Sequence, residues 1–449
     1  MTEWIVADHV VVNDGSGTVL EPGAVEVENG LIVSVAQVTG TRPAGASVTD
    51  LGSVVLLPGL VNAHAHTPMS LMRGVAEGHS LLSMEGFLAV LRSREQYLTP
   101  ELVPASVAVS CADMIRHGIT SFADQYFFAD EIAPTVIESG LRSRIGWGIV
   151  ELGDDSVRAR ELAAAASFAE SMAGNDRVRG WVGPHAYFVD NQPEAMKAEL
   201  ALATRLGAGL HVHFSTSSEE DDYCLEHFGR PALEVMSEMG MLDVPSILAH
   251  CNTVPVEQLP LLAGTRAAMT VIPSVAMMSG APAAPVRAAL DAGVTVALGT
   301  DNVCNNTNSD LFEEMRTLGK LAAFDSHVPD QVTAAEILAI ATTGGQRAID
   351  GGELDGMLVA GAVADLIAVP VRDISRGPVG AQSLESALVY CTSGASVTHS
   401  MVDGNWLMRD STVLTLDVGG SLARQQADYD TLIARMHAGT AIAGAGKDQ

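Results

Sequence analysis

Residues 54–66 read VVLLPGLVNAHAH, an apolar run that ends in two histidines one residue apart. In a β-strand, residues i and i+2 project from one face, so His64 and His66 converge from a single strand end. Imidazole is the commonest metal ligand, and two of them supply half of a tetrahedral site. A chance His-x-His or a hydrogen-bonded pair is the plain alternative, and the motif alone leaves the two readings level.

Downstream the same grammar repeats. Seven further short apolar runs (ITSFADQ, RSRIGWGIV, VRGWVGPHAYF, AGLHVHFST, PSILAHC, AAMTVIPS and VTVALGTD) alternate with amphipathic stretches. Helix signals lie between them: Thr99-Pro100-Glu101 opens a stretch that stops at Gly118, PEAMKAELALATRL stops at Gly207, and APVRAALDA stops at Gly293. Eight βα units over roughly 250–300 residues predict a (β/α)8 TIM-like barrel rather than an open doubly wound sheet. No G-x-G-x-x-G turn follows the first run, which weakens a dinucleotide-binding reading further.

The flanks read differently. Residues 1–57 alternate like β structure, with a hairpin expected about Asn29-Gly30, and alternation returns over 356–415. Both ends are therefore expected to build one small β-sandwich beside a catalytic barrel of residues 58–355, with a helical tail over 416–449. The length of 449 residues suits such a pairing, and 47% hydrophobic against 18% charged residues provides for a sizeable core.

Charge narrows the partners. With 54 acidic against 25 basic residues the formal charge is −29, so the surface repels phosphate backbones and anionic lipid. A small-molecule substrate is expected, with no nucleic acid, no membrane, and assembly into a homo-oligomer. Residues 1–12 lack a basic targeting region, and the five scattered cysteines never fall in C-x-x-C spacing. Reduced thiols in a cytoplasmic protein are the expectation.

Three later residues strengthen the metal reading. His213, with His211 two residues before it, ends candidate strand five; His250 ends strand six and Asp301 ends strand eight. All fall where a barrel presents its catalytic C-terminal face. A metal bound there lowers the pKa of its water toward ~7.

These motifs carry a resemblance. PGLVNAHAHTPMSLMRG, AHC at strand six, LGTDN at strand eight and the late GAVADLIAV resemble the amidohydrolase superfamily. The resemblance is closest to the branch of s-triazine hydrolases and S-adenosylhomocysteine or methylthioadenosine deaminases, and it covers nearly the whole chain. It implies that His64, His66, His213 and Asp301 bind one divalent metal, zinc by default, with cobalt, manganese or iron as options. It makes Asp301 the base that takes the water proton, His250 a hydrogen-bonding partner of water or substrate, and His185 a group that polarises or positions the substrate. Glu95 would contact substrate. Many two-metal members use a carboxylated lysine at strand four, where this chain has none; its lysines are Lys197, Lys320 and Lys447.

Departures from the pattern bear on substrate. The deaminases of that branch place a ring-protonating glutamate where this chain has Thr216, whose hydroxyl donates a hydrogen bond but no proton at neutral pH. Val271-Ile272 before Pro273, Ala276 (followed by Met277-Met278) and Trp147 stand where relatives have His-Asn, an asparagine and an arginine. An apolar pocket that includes Trp147, Thr216 and Met277 is therefore expected, suited to a urea, carbamate or thiocarbamate, as in the phenylurea and thiocarbamate hydrolases. The alternative is an aminohydrolase or chlorohydrolase of a heteroaromatic ring. A non-catalytic barrel is disfavoured, because all four implied ligands are present.

Overall fold

The computed structural model describes residues 2–40, 47–350, 356–372, 377–378 and 380–439. Its centre is an eight-stranded parallel sheet in sequential order. The strands are β1 (Leu60–Ala65), β2 (Ile119–Tyr126), β3 (Arg142–Ile149), β4 (Val178–Pro184), β5 (Leu210–Phe214), β6 (Ser246–His250), β7 (Ala267–Val271) and β8 (Thr295–Leu298). Seven fall within the apolar runs, and β2 extends one residue beyond its run, to Tyr126.

Closure comes just beyond β8. Ala65 forms a parallel bridge with Asp301, and the Thr300 and Asp301 amides donate to the His64 carbonyl at 3.2 and 2.9 Å. Asn62, next to an irregularity in the β1–β2 ladder, reinforces the seam. Its Nδ2 donates to Thr300 Oγ1 at 2.7 Å and its Oδ1 accepts from the Thr300 amide at 3.0 Å. The barrel therefore closes through the residues that flank two of the expected ligands.

The opening run is two strands rather than one. Val54–Pro58 pairs antiparallel with Leu366–Pro370 in a seven-stranded sheet, and only Leu60–Ala65 joins the barrel. Gly59 makes the change of sheet possible: a Cβ there would lie 2.0 Å from Thr120 Oγ1, inside any tolerable contact. A second sheet, of four strands, contains the hairpin Gly23–Glu28 and Leu31–Gln37, with Glu28 opposite Leu31 across Asn29-Gly30. Both turn residues have positive φ, 53° and 81°, as a two-residue primed turn requires. Ile5, Val10, Val25, Leu56, Leu366 and Met401 fill the core between the two sheets, the sandwich expected of the chain ends.

The helices carry their anticipated stops. Pro193–Leu206 ends at a left-handed Gly207, and Pro104–Arg116 is followed by Gly118 at φ 78°. Thr99 makes no side-chain cap; Pro100–Leu102 is a separate 3-10 turn, and the α-helix restarts at Pro104. The late helix Val418–Ala438 packs on Pro104–Arg116. Among the described residues no single helix is long and apolar enough to cross a membrane.

Candidate metal centre and active site

Alternation along β1 and β5 sends His64, His66, His211 and His213 inward at the C-terminal mouth. His250 ends β6 and Asp301 follows β8, both with left-handed backbones, φ 81° and 58°, unusual for residues with side chains. Such conformations persist where the surrounding structure fixes them, and they concentrate at functional sites.

These side chains meet at one point. One ligand atom each from His64, His213, His250 and Asp301 lies within 4.8 Å of all the others. His66 reaches the same carboxylate: Asp301 Oδ1 is 3.1 Å from His66 Nε2 and 3.3 Å from His64 Nε2. The four implied ligands thus converge, with His250 close beside them, its Nε2 4.0 Å from Asp301 Oδ2.

Hydrogen bonds fix which ring nitrogens face the centre. His66 Nδ1–H donates to the Gln125 carbonyl at 2.5 Å, and His213 Nδ1–H donates to the His185 carbonyl at 2.8 Å. Both Nε2 lone pairs are left pointing inward, 3.2 Å apart. His64 Nε2 and Asp301 Oδ1 are buried there without a hydrogen-bond partner. Converging lone pairs and a carboxylate repel one another unless a cation lies between them, so the donor set fits a divalent metal.

Charge states agree with that chemistry at three of the four histidines around Asp301. Burial holds the imidazoles of His64, His213 and His250 in the neutral form that ligates, His250 down to about 3. Burial opposes ionisation of Asp301, but the His64 and His66 rings set against its Oδ1 outweigh that and keep the carboxyl well below its ordinary value. His66 shows the reverse: burial disfavours its charge, and the Asp301 carboxylate overcomes that and raises it.

The supporting shell lies largely outside the expected residues. His211 Nε2 sits 2.7 Å from His64 Nδ1, so it orients a ligand rather than facing the centre. Gln125 Nε2 donates to the Pro184 and His211 carbonyls at 2.7 Å each, tying β2 to β4 and β5. Asp124 accepts the Thr67 amide at 3.0 Å and also its hydroxyl, which pins the chain leaving His66. Alternation carried a signal for His211, but these cross-strand partners belong to registers that no single run reveals.

A cleft of about 810 Å³, counting its open mouth, rises over the centre. His66, Glu95, His185, His213, Thr216, Glu219, His250 and Asp301 line its polar side. His185 Nδ1 is hydrogen-bonded to the buried Asp190 carboxylate, and its ring stacks on Phe87 with centroids 4.7 Å apart. Glu95 is buried; its Oε1 accepts from Tyr126 Oη at 2.7 Å and Arg92 Nη1 lies 3.5 Å from Oε2. Glu219 faces the cleft, whereas Glu220 is buried with both carboxyl oxygens unpartnered.

Two expected pocket residues are elsewhere. On β3 the inward positions belong to Gly146 and Gly148, and Gly148 lines the cleft. Trp147 alternates outward, donates to Glu161 Oε2 at 2.9 Å and packs on Phe168. Met277 lies on the short helix Pro273–Met278, whose inner face is Val275 and Ala276; it is 56% exposed and Met278 51%. The cleft is apolar on one wall all the same, but that wall is Met69, Leu81, Leu82, Met84, Phe87 and Leu91, from the segment following β1.

The family model for the amidohydrolase family matches residues 55–407, which include every residue of the centre. The chain belongs to the amidohydrolase family. It is therefore a hydrolase of the amidohydrolase type, and its relatives act on C–N bonds. A 5'-deoxyadenosine deaminase of Methanosarcina barkeri is 33% identical over 98% of this chain and 100% of its own length. A 5-methylthioadenosine/S-adenosylhomocysteine deaminase of Moorella thermoacetica is also 33% identical, over 94% and 97%. Among solved structures, a zinc-bound adenosine deaminase from Xanthomonas campestris superposes with a TM-score of 0.88 at 26% identity, covering 96% of this chain and 98% of its own. Atrazine chlorohydrolase from Arthrobacter aurescens, with zinc, gives 0.85 at 23% over 95% and 100%, a likeness of fold.

Proposed function

We propose that this amidohydrolase removes an exocyclic amino group from a nitrogen heterocycle, an adenosine derivative first of all, releasing ammonia and leaving a ring carbonyl. The observation that carries this reading is Glu219. Glu219 lines the cleft beside Thr216, and its carboxyl has no hydrogen-bond or ion-pair partner among the described residues. Attack at a ring carbon builds negative charge on the adjacent ring nitrogen, which must be protonated. Thr216 cannot supply that proton; Glu219 can.

One divalent metal, zinc by default, held by His64, His66, His213 and Asp301, would supply Lewis acidity and lower the pKa of water. Asp301 accepts one water proton and passes it to the departing nitrogen, which leaves as ammonia; the second water proton, released as the ring carbonyl forms, returns to Glu219 and restores its acid form. His250 hydrogen-bonds the attacked carbon's new oxygen. His185, fixed by Asp190 through Nδ1, presents Nε2 to the ring, and Glu95 is an acceptor for ligand hydroxyls.

Among the described residues, the lining contains no arginine or lysine. A substrate tail bearing a carboxylate would find no cationic partner, whereas the Leu81–Leu91 wall suits a short uncharged group. The names of the relatives, deaminases of adenosine derivatives, support the purine class. Hydrolysis of a urea, carbamate or thiocarbamate is the second reading, favoured by Thr216 and that apolar wall because carbonyl attack needs no ring acid.

A panel of 5'-deoxyadenosine, methylthioadenosine, S-adenosylhomocysteine, aminated s-triazines and N-aryl ureas separates the readings. Deamination fastest for the two uncharged adenosine derivatives is expected. Turnover confined to ureas or thiocarbamates would overturn the proposal.

A further inference from the structure

The opposite, N-terminal mouth of the barrel holds a second feature that the chemistry above does not use. Inward positions of barrel strands are normally apolar, and here Val61, Ala63, Ala123, Trp181, Ile247 and Ala268 form that layer. Just outside it the side chains change character. Arg144 and Arg179 are register partners on β3 and β4. They share the inward face, two residues before Gly146 and Trp181 respectively. Arg266, two residues before Ala268, projects inward from the start of β7, and Arg205 enters from the end of Pro193–Leu206. All four line one cleft over Trp181.

This arrangement is costly as it stands. Like charges directly opposite on paired strands repel. The carboxylates lining the cleft are Glu170, which takes Arg205 at 3.1 Å, and Asp350. Arg179 and Arg266 are exposed, and their guanidinium groups have no ion-pair or hydrogen-bond partner among the described residues. Four of only 25 basic side chains in a chain of charge −29 therefore gather at one concave place, two of them uncompensated.

We propose that the N-terminal mouth of the barrel binds a compact multivalent oxyanion, a phosphate or the phosphoryl group of a larger molecule, through Arg179 and Arg266. Guanidinium groups bind such oxygens through paired, charge-assisted hydrogen bonds. The cleft lies at the opposite end of the barrel from the metal centre and is independent of the reaction proposed there.

Trp181 supplies a reporter. Full-length, metal-loaded protein is titrated with inorganic phosphate, pyrophosphate and adenosine monophosphate at matched ionic strength, with sodium chloride as control. Tryptophan emission and calorimetry are followed together. Saturable binding of at least one phosphate species is expected, about tenfold weaker in Arg179→Gln and again in Arg266→Gln, with Arg116→Gln as an unaffected surface control. Preference for inorganic phosphate or for the nucleotide identifies the source of the phosphoryl group. Both arginines are exposed, so the variants retain the fold, which circular dichroism verifies. Absence of saturation with all three anions, or equal affinity in the Arg179→Gln/Arg266→Gln double variant, overturns the proposal.

Discussion

Glu220 is a buried carboxyl with neither oxygen hydrogen-bonded, and burial pushes it up to about 8 from an ordinary 4.5. Because the folded-state value is the higher one, its contribution to stability is complete below the unfolded value of 4.5 and is lost as pH rises through 8. Between pH 5.5 and 8.5 the unfolded glutamate ionises freely while the folded one resists. At 1.36 kcal/mol per pH unit, wild type should lose on the order of 3 kcal/mol across that window through this group alone. Glu220→Gln keeps the shape and removes the ionisation. Urea unfolding of metal-loaded wild type and variant, at pH 5.5 and 8.5, should show the variant gaining on wild type by about that amount at the higher pH. Turnover should be retained, because Glu220 does not line the cleft. A stability difference that is flat with pH would refute the burial argument, and lost turnover at full stability would transfer the acid role from Glu219 to Glu220.

Other outcomes follow from the same geometry. Glu219→Gln should lower deamination by about 100-fold or more while leaving metal content unchanged; unchanged rates would remove the acid assignment. Asp301→Asn should abolish turnover, because an amide cannot accept the water proton, and elemental analysis should show weakened metal binding. His250→Asn should keep its metal while losing turnover, and a variant that releases metal would make His250 a ligand. Asn62→Ala removes three buried hydrogen-bond contacts at the barrel seam, to Thr300 and the His64 amide, and should cost about 2–3 kcal/mol of unfolding free energy.

The barrel was legible because each strand is a short apolar run with a turn signal after it, and strand alternation alone brings His64, His66, His211 and His213 to one mouth. What alternation fixes locally it also corrected. Trp147 is one position out of phase with Gly146 and Gly148, so an aromatic expected in the cleft packs against a helix instead. Met277 failed for another reason: the segment after β7 is helical, and helical spacing turns Met277 and Met278 to solvent. The apolar wall at Leu81, Leu82 and Phe87 comes from an irregular segment and a short helical stretch, Met84–Glu95, broken by a π turn, where sequence offers no steady phase to read. Gln125 acts through contacts across strands, set by register rather than by any motif, and Asp190 through the irregular loop that folds back on His185.

The most direct test of the account is a zinc titration of chelator-treated protein, with ammonia release from 5'-deoxyadenosine followed at each addition. Activity absent without metal, rising linearly and levelling at one equivalent per chain is the predicted result. Ammonia release from metal-free protein, a plateau at two equivalents, or no ammonia at any loading would contradict it.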